Sequence, residues 1–234
     1  MADSGDVAPP YDYRTVRQAY DTVAEDYAAR LPDTRAEAAL DLAMVDAFVA
    51  AVGEETMGGE TGARVLDAGC GAGRMSRHLA DRGLLVEGID LSPGMVAMAR
   101  RDHPDLTFDE GSLVDLPHPD DHFAGVLLWY SIIHTPPADH ARIFAEAGRV
   151  LRPGGHLLVG FQSGEGTRDV APAYARHGHD VELVRHLCTA DQVAGRLAAV
   201  GLVEVCRLVR QAEGFERDAQ AMVLARKGPA HISA

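Results

Sequence analysis

The 234-residue sequence predicts an α/β fold: a doubly wound, mostly parallel sheet with a C-terminal antiparallel hairpin and an N-terminal helical cap. Three observations carry that expectation. Between residues 64 and 161, short apolar runs alternate with stretches of helical period, the order of βαβ units whose sheet is covered on both faces. The first apolar run passes straight into a glycine-rich turn, Gly69-Cys70-Gly71-Ala72-Gly73. Two late β-rich runs, joined by a short polar loop, read as a hairpin at the sheet edge.

Taken in order, residues 1–12 read as a frayed arm. From Arg14, the positions Val16, Ala19, Tyr20, Val23, Ala24 and Tyr27 form one helical stripe, and Pro32, which lacks an N–H, stops it. A second helix is expected over residues 35–52, with Leu40, Met44, Val45, Phe48 and Val52 inward and Gly53 at its end. Residues 58–62 are a glycine-rich connector. A strand at 64–68, the glycine turn and a helix to about residue 82 come next. After a second strand, Leu85–Asp90, Ser92-Pro93 opens a helix, because a serine hydroxyl accepts a backbone N–H and proline's fixed φ suits the first turn. A weaker strand is expected at 106–109 and a wholly apolar one at 123–129. A helix over 139–151, the turn Arg152-Pro153-Gly154-Gly155 and a strand over 156–161 complete the parallel series. Residues 162–188 hold few apolar repeats. A helix over 189–200 with Gly201 as its C-cap, then strands at 203–209 and 221–225, end the chain. There is no internal repeat and no sign of a second core, so one domain is expected.

The 35 acidic residues outnumber the 22 basic ones, a formal charge of −13. Such a surface repels phosphate backbones, so neither nucleic acid nor an anionic membrane is an expected partner. No apolar run approaches the roughly 20 residues of a membrane span, and the acidic opening does not read as a signal peptide. The three cysteines, Cys70, Cys188 and Cys206, are odd in number and widely spaced. That usage suits a reducing cytoplasm rather than a disulfide framework or a cysteine-built zinc site.

The chemistry concentrates at residues 65–74. Glycines at every second position after a strand let a ligand lie against backbone N–H groups at a helix N-terminus. A dinucleotide fingerprint requires G-x-G-x-x-G, but its sixth position here is Arg74. Asp67, two residues before the first glycine, is unsuited to a pyrophosphate and well placed for a cationic ligand; its plainer role is to cap a helix. Asp90 closes the second strand, where a carboxylate can accept both hydroxyls of a ribose.

This combination resembles the class I S-adenosylmethionine-dependent methyltransferases, closely from Val65 to about Gln162. The family's first motif is similar to residues 65–73, its ribose-binding acid to Asp90, and its turn before the fifth strand to residues 151–155. The resemblance implies a Rossmann-like sheet, S-adenosyl-L-methionine as cofactor and a small-molecule methyl acceptor. It implies that Gly69, Cys70 and Gly71 lie against the methionine and ribose portions, that Leu91 flanks the adenine and that Met95 neighbours it. Where the family often shows Gly-Asp facing the adenine amino group, this chain has Gly111-Ser112-Leu113, so the Ser112 hydroxyl or the Leu113 backbone takes that place. The fourth strand opens Phe123-Ala124 rather than Phe-Asp, a structural difference. On this plan residues 13–53 are a cap, 63–161 the cofactor-binding core, 162–188 a substrate-side insert or lid, and 189–228 the last helix and hairpin.

Several further residues have a plain and a functional reading. Tyr20 and Tyr27, seven apart on one face, read as core by spacing alone, whereas the resemblance implies that Tyr20 meets the methionine end. Trp129 and Tyr130 stand at the carboxyl end of the fourth strand, as core or as a wall beside the sulfonium and acceptor. His134 follows them, where ligands bind at a topological switch point, and is either a base and substrate contact or a histidine bonded to a turn. His177 and His179 lack a third ligand at a metal-binding spacing and read as a polar loop. The expected reaction is in-line methyl transfer to oxygen or nitrogen. A nicotinamide-dependent oxidoreductase, disfavoured by Arg74, and a cofactor-binding protein without catalysis are the alternatives. S-adenosylhomocysteine at 100 times its dissociation constant should stabilise the fold by about 2.7 kcal/mol, and NADP should not. Thermal shifts measure this, and a shift with NADP alone would refute the reading.

Overall fold

Five parallel strands set the architecture. In the computed structural model, which describes residues 11–54, 62–214 and 216–229, α1 (Arg14–Arg30) and α2 (Ala39–Glu54) precede β1 (Arg64–Ala68) and α3 (Arg74–Ala80). Then come β2 (Leu85–Asp90), α4 (Pro93–Asp102), β3 (Thr107–Glu110), β4 (Phe123–Trp129), α5 (His140–Val150) and β5 (Leu151–Ser163). The chain continues through β6 (Thr167–Asp169), α6 (Ala171–Ala175), β7 (Val184–His186), α7 (Ala190–Ala199), β8 (Leu202–Arg210) and β9 (Ala219–Lys227). The main sheet has the order β3-β2-β1-β4-β5-β9-β8. β9 alone runs antiparallel to its neighbours, slotted between β5 and the edge strand β8. Among the described residues no helix is long and apolar enough to cross a membrane. The arm before residue 11 and most of the expected 58–62 connector lie outside the described residues.

The two faces of the sheet explain why its strands are apolar throughout. Along β4, Val126 and Leu128 face one layer with Ile143 and Phe144 of α5 and Val193 and Leu197 of α7. Leu127 and Trp129 face the other, with Val45, Phe48 and Val52 of α2 and Met75 and Leu79 of α3. Each fully buried side chain of this size contributes about 1.5–3 kcal/mol.

Four expectations are corrected. The second helix does not run unbroken from residue 35. Asp33 accepts the Arg35 N–H to start a single 3-10 turn, Thr34–Ala36, and Glu37 is extended before α2 begins. Leu40 is 53% exposed on the first turn of α2, not inward, and Gly53 lies inside the helix rather than after it. Residues 152–155 are not a turn separating helix from strand but part of β5. The register jumps from Phe123↔Leu151 to Gly125↔His156, and Gly154 at φ +83° absorbs the extra residues. In the 162–188 segment, for which the sequence predicted no elements, β6 and β7 pair, and Val170, Val181 and Leu183 bury against Ala19, Val23 and Ala24 of α1. Elements of three to five residues are too short to show a period in sequence.

One buried ion cluster ties the cap to the far edge of the sheet. Arg210, at the end of β8, donates Nε to Asp41 Oδ1 at 2.7 Å and Nη2 to Asp41 Oδ2 at 2.5 Å. Its remaining N–H groups reach Glu216 at 2.6 and 2.7 Å. Asp41 is 1% exposed, so removing its partner strands a buried charge. Arg210→Met should therefore cost about 3–5 kcal/mol in urea denaturation, and adding Asp41→Leu should recover most of it.

Candidate active site

The carboxyl ends of β2, β1 and β4 lie side by side, and the chain order reverses between β1 and β4. The glycine turn sits at this switch point because three consecutive N–H groups are satisfied by β2. Gly69 and Cys70 donate to the Ile89 carbonyl at 2.8 and 2.9 Å, and Gly71 donates to Asp90 Oδ2 at 2.8 Å. Gly69 has φ +80°, and a Cβ there would lie 2.3 Å from the Ser131 Cβ, so the segment after β4 passes too close for any side chain.

Asp90 is held from two sides, since its Oδ1 also accepts the Ser92 N–H at 2.9 Å. Burial raises its pKa, against the pull of those backbone donors. Each oxygen retains acceptor capacity. Asp67 is 1% exposed and accepts the Ser76 hydroxyl at 2.6 Å, bracing α3 against β1. Burial lifts its pKa to about 6, partly offset by that hydrogen bond.

A cavity of about 720 Å³ opens over this turn. Of the residues singled out in sequence, Tyr20, Gly69, Asp90, Leu91, Ser112, Leu113, Trp129, Tyr130 and His134 line it. Asp67 and Cys70 instead border a small adjoining space of about 30 Å³, shared with Tyr27, Gly69, Arg74 and Trp129. Gly71 is not among the lining residues described and acts by fixing Asp90. Met95 is a correction: it is 1% exposed in the cluster beneath α1, not in the cavity. Its helix start is roofed by Asp21, which accepts the Ser92 hydroxyl at 2.6 Å and the Gly94 N–H at 3.0 Å.

His134 is buried, and its Nδ1 lies 2.7 Å from the Val184 carbonyl. A carbonyl only accepts, so Nδ1 carries the proton and Nε2 holds the lone pair. Burial lowers its pKa to about 4, so the ring is neutral at pH 7. The Tyr20 ring stands edge-on to it, 5.7 Å between centroids, and Tyr27 stands edge-on to Tyr20 at 6.2 Å. Tyr130 has φ +56°, an uncommon conformation for a bulky side chain, and donates its hydroxyl to Gln220 Oε1 at 2.9 Å. His179 Nε2 is 3.3 Å from Asp26 and links the insert to α1, while His177 lies at the cavity mouth.

Sequence reasoning missed several lining residues. Arg74, weighed only as a departure from a dinucleotide motif, is a buried cation paired with Glu37 and set against Tyr27, bordering both spaces. Its position directly after the third glycine was the available signal. Gln162, Tyr174 and Arg185 belong to the insert, whose folding has no sequence period. Five polar atoms of cavity residues are buried with no hydrogen-bond partner among the described residues: Tyr13 Oη, Trp129 Nε1, Ser131 Oγ, Gln162 Oε1 and Arg185 Nε. Buried polar groups are normally satisfied, so these atoms keep hydrogen-bonding capacity at the cavity wall.

The depressed His134 pKa has a signed consequence. The unfolded ring binds a proton below about pH 6.5, and the folded ring only near 4. Its contribution to stability is complete above the unfolded value and lost as pH falls through the folded one. Asp67, raised, acts in the opposite sense, losing its contribution as pH rises through about 6. His134→Gln should therefore flatten the acid side of the stability profile by about 1.4 kcal/mol per pH unit. Urea midpoints between about pH 4.5 and 6 test this, and an unchanged slope would mean the ring is not desolvated.

Comparison with known proteins agrees with this geometry. Residues 65–155 match the family model described as a methyltransferase domain. A demethylmenaquinone methyltransferase of Beutenbergia cavernae is 40% identical over 105 residues, 45% of this chain and 43% of that protein. The chain thus aligns with less than half the length of that relative. A malonyl-[acyl-carrier protein] O-methyltransferase of Serratia marcescens is 29% identical, covering 70% of this chain and 69% of the relative. Among solved structures, a magnesium protoporphyrin IX methyltransferase of Synechocystis with bound S-adenosylmethionine superposes with a TM-score of 0.69 at 20% identity, covering 94% of this chain and 99% of that one. This last likeness shows a shared fold. Residues 65–155, which hold the glycine turn and run from β1 into β5, are thus similar to a methyltransferase domain, and the strand order around them agrees with the fold shared with that solved structure.

Proposed function

We propose that this chain moves a methyl group from S-adenosyl-L-methionine to an oxygen or nitrogen of a small molecule. The observation that carries the reading is one continuous cavity running from the Gly69 turn and Asp90 past Trp129 to His134. The residues fit the cofactor. Gly69 brings bare backbone to the cavity wall, the place of its missing Cβ being taken by Ser131, and Asp90 keeps acceptor lone pairs for ribose hydroxyls. Leu91, Ser112 and Leu113 supply an apolar and hydrogen-bonding surface for adenine. Trp129 Nε1 and Ser131 Oγ are unused donors beside the turn, suited to a carboxylate. Asp67 and Arg74 offer opposite charges near the same end.

When bound, the cofactor supplies a methyl group already activated on a sulfonium, so no covalent enzyme intermediate is needed. The chain's own work is alignment and exclusion of water. Tyr20 and Trp129 wall the passage between the two halves of the cavity, and the insert closes over α1 through Val170, Val181 and Leu183. His134, locked as the Nδ1–H tautomer, presents Nε2 to accept the proton of a hydroxyl or amine. A ring with a pKa of about 4 is available as a base across the whole neutral range but is a weak one, which places most of the catalytic burden on positioning. The acidic surface disfavours a nucleic-acid acceptor, and the free cysteines Cys70, Cys188 and Cys206 agree with a cytoplasmic setting.

Formation of S-adenosylhomocysteine with candidate acceptors tests the reading directly. Asp90→Ala should weaken cofactor binding by at least about 1.5–3 kcal/mol, one charge-assisted hydrogen bond or more. His134→Ala should lower kcat by about 10²–10⁴-fold with cofactor affinity intact. Tight cofactor binding with no methyl transfer to any acceptor would favour a binding protein instead.

A further inference from the structure

Past His134 the cavity ends on a wall to which methyl transfer, as described, gives no task. Arg185, the middle residue of β7, lines it. The strand is pinned on both sides of this residue: the Val184 carbonyl accepts from His134 Nδ1, and the His186 N–H donates to the Ile133 carbonyl, both at 2.7 Å. Arg185 lies close enough to Tyr20, Tyr174 and His134 to act on each electrostatically. Its Nε is buried and has no hydrogen-bond partner among the described residues.

The local charges do not cancel. Asp218 is buried, and both its oxygens already accept from Arg168. Arg185 Nη1 stands 3.6 Å from the same carboxylate. Two guanidinium groups therefore share one anion, leaving one positive charge. Glu216 is taken up by Arg210, while Asp169 accepts the Ala171 N–H at the start of α6 and keeps its charge at the exposed edge of the cavity. Arg176 and Arg217, at the mouth, have no ionic partner among the described residues. The surrounding walls, Tyr20, Tyr174, Ile133 and Val170, are aromatic or aliphatic.

We propose that the methyl acceptor is a monocarboxylate that also bears the hydroxyl or amine to be methylated, with Arg185 holding its carboxylate. The proposal rests on the methyl-transfer reading above. Arg185 presents a buried, unused Nε donor at this wall, and a guanidinium binds a carboxylate through paired N–H groups. His134, neutral and offering only a lone pair at Nε2, repels a carboxylate and accepts from a proton-bearing nucleophile. The two residues thus sort the two ends of such a molecule.

Trp129 is the chain's single tryptophan and lines the cavity, so its emission reports occupancy. Protein saturated with S-adenosylhomocysteine is titrated with p-hydroxyphenylacetate and ω-hydroxyoctanoate, each beside its amide. At least one acid should bind saturably, with its amide about tenfold weaker or worse. Arg185→Gln should reduce the acid to the amide's affinity while the S-adenosylhomocysteine titration is unchanged, and Arg185→Lys should fall between. Equal binding of acids and amides, no acid binding at millimolar concentration, or full acid binding by Arg185→Gln would each overturn the proposal. The wild-type comparison of acid with amide decides even where a variant fails to fold. Absence of S-adenosylhomocysteine binding would instead strike the cofactor reading.

Discussion

Everything at the site depends on three backbone hydrogen bonds. The N–H groups of Gly69, Cys70 and Gly71 are consumed by the Ile89 carbonyl and the Asp90 carboxylate, which bolts the turn after β1 onto the end of β2. That arrangement turns the chain sharply without a buried unsatisfied donor and fixes the Asp90 carboxyl at the same stroke. It also brings the turn so close to Ser131 that Gly69 tolerates no side chain. A carboxylate accepting two backbone N–H groups cannot swing, so whatever lies in the cavity meets a preformed acceptor.

The second half of the site is assembled differently. No single element builds it: α1 supplies Tyr20, the segment after β4 supplies Tyr130 and His134, and the insert supplies Tyr174 and Arg185. They are held by short-range polar links, namely His134 to Val184, His186 to Ile133 and His179 to Asp26. The half around the glycine turn is thus a product of sheet geometry, and the half around His134 a product of side chains and short strands. On such a scaffold the lining of this half can change with the insert while the sheet is left intact.

Charge is distributed with the same division. The chain is strongly acidic, and three clusters gather its buried ion pairs: Arg210 between Asp41 and Glu216, Arg74 against Glu37, Arg168 and Arg185 around Asp218. The first two are closed pairs or triads that hold the cap. The third has a surplus cation, and it alone of the three includes two guanidinium groups facing the cavity.

The amino-acid sequence by itself determined the strands that are apolar on both faces and the motif between them. β1, β2 and β4 fall at the expected residues, and Ser92 caps α4 as its position before Pro93 demands. Glycine spacing and Asp90 pointed to the turn that borders the cavity, because turn conformation and strand-end acids are local properties. What only the tertiary structure decided is whatever depends on distant partners. Leu40 faces solvent and Met95 hides beneath α1, since the helical stripe alone does not say which neighbour covers it. The His134 tautomer is set by a carbonyl fifty residues away, the worth of Arg74 by Glu37, and the role of Arg185 by an aspartate in the loop before β9. Short strands and shared counterions have no period and no motif, and their meaning exists only once the chain has brought them together.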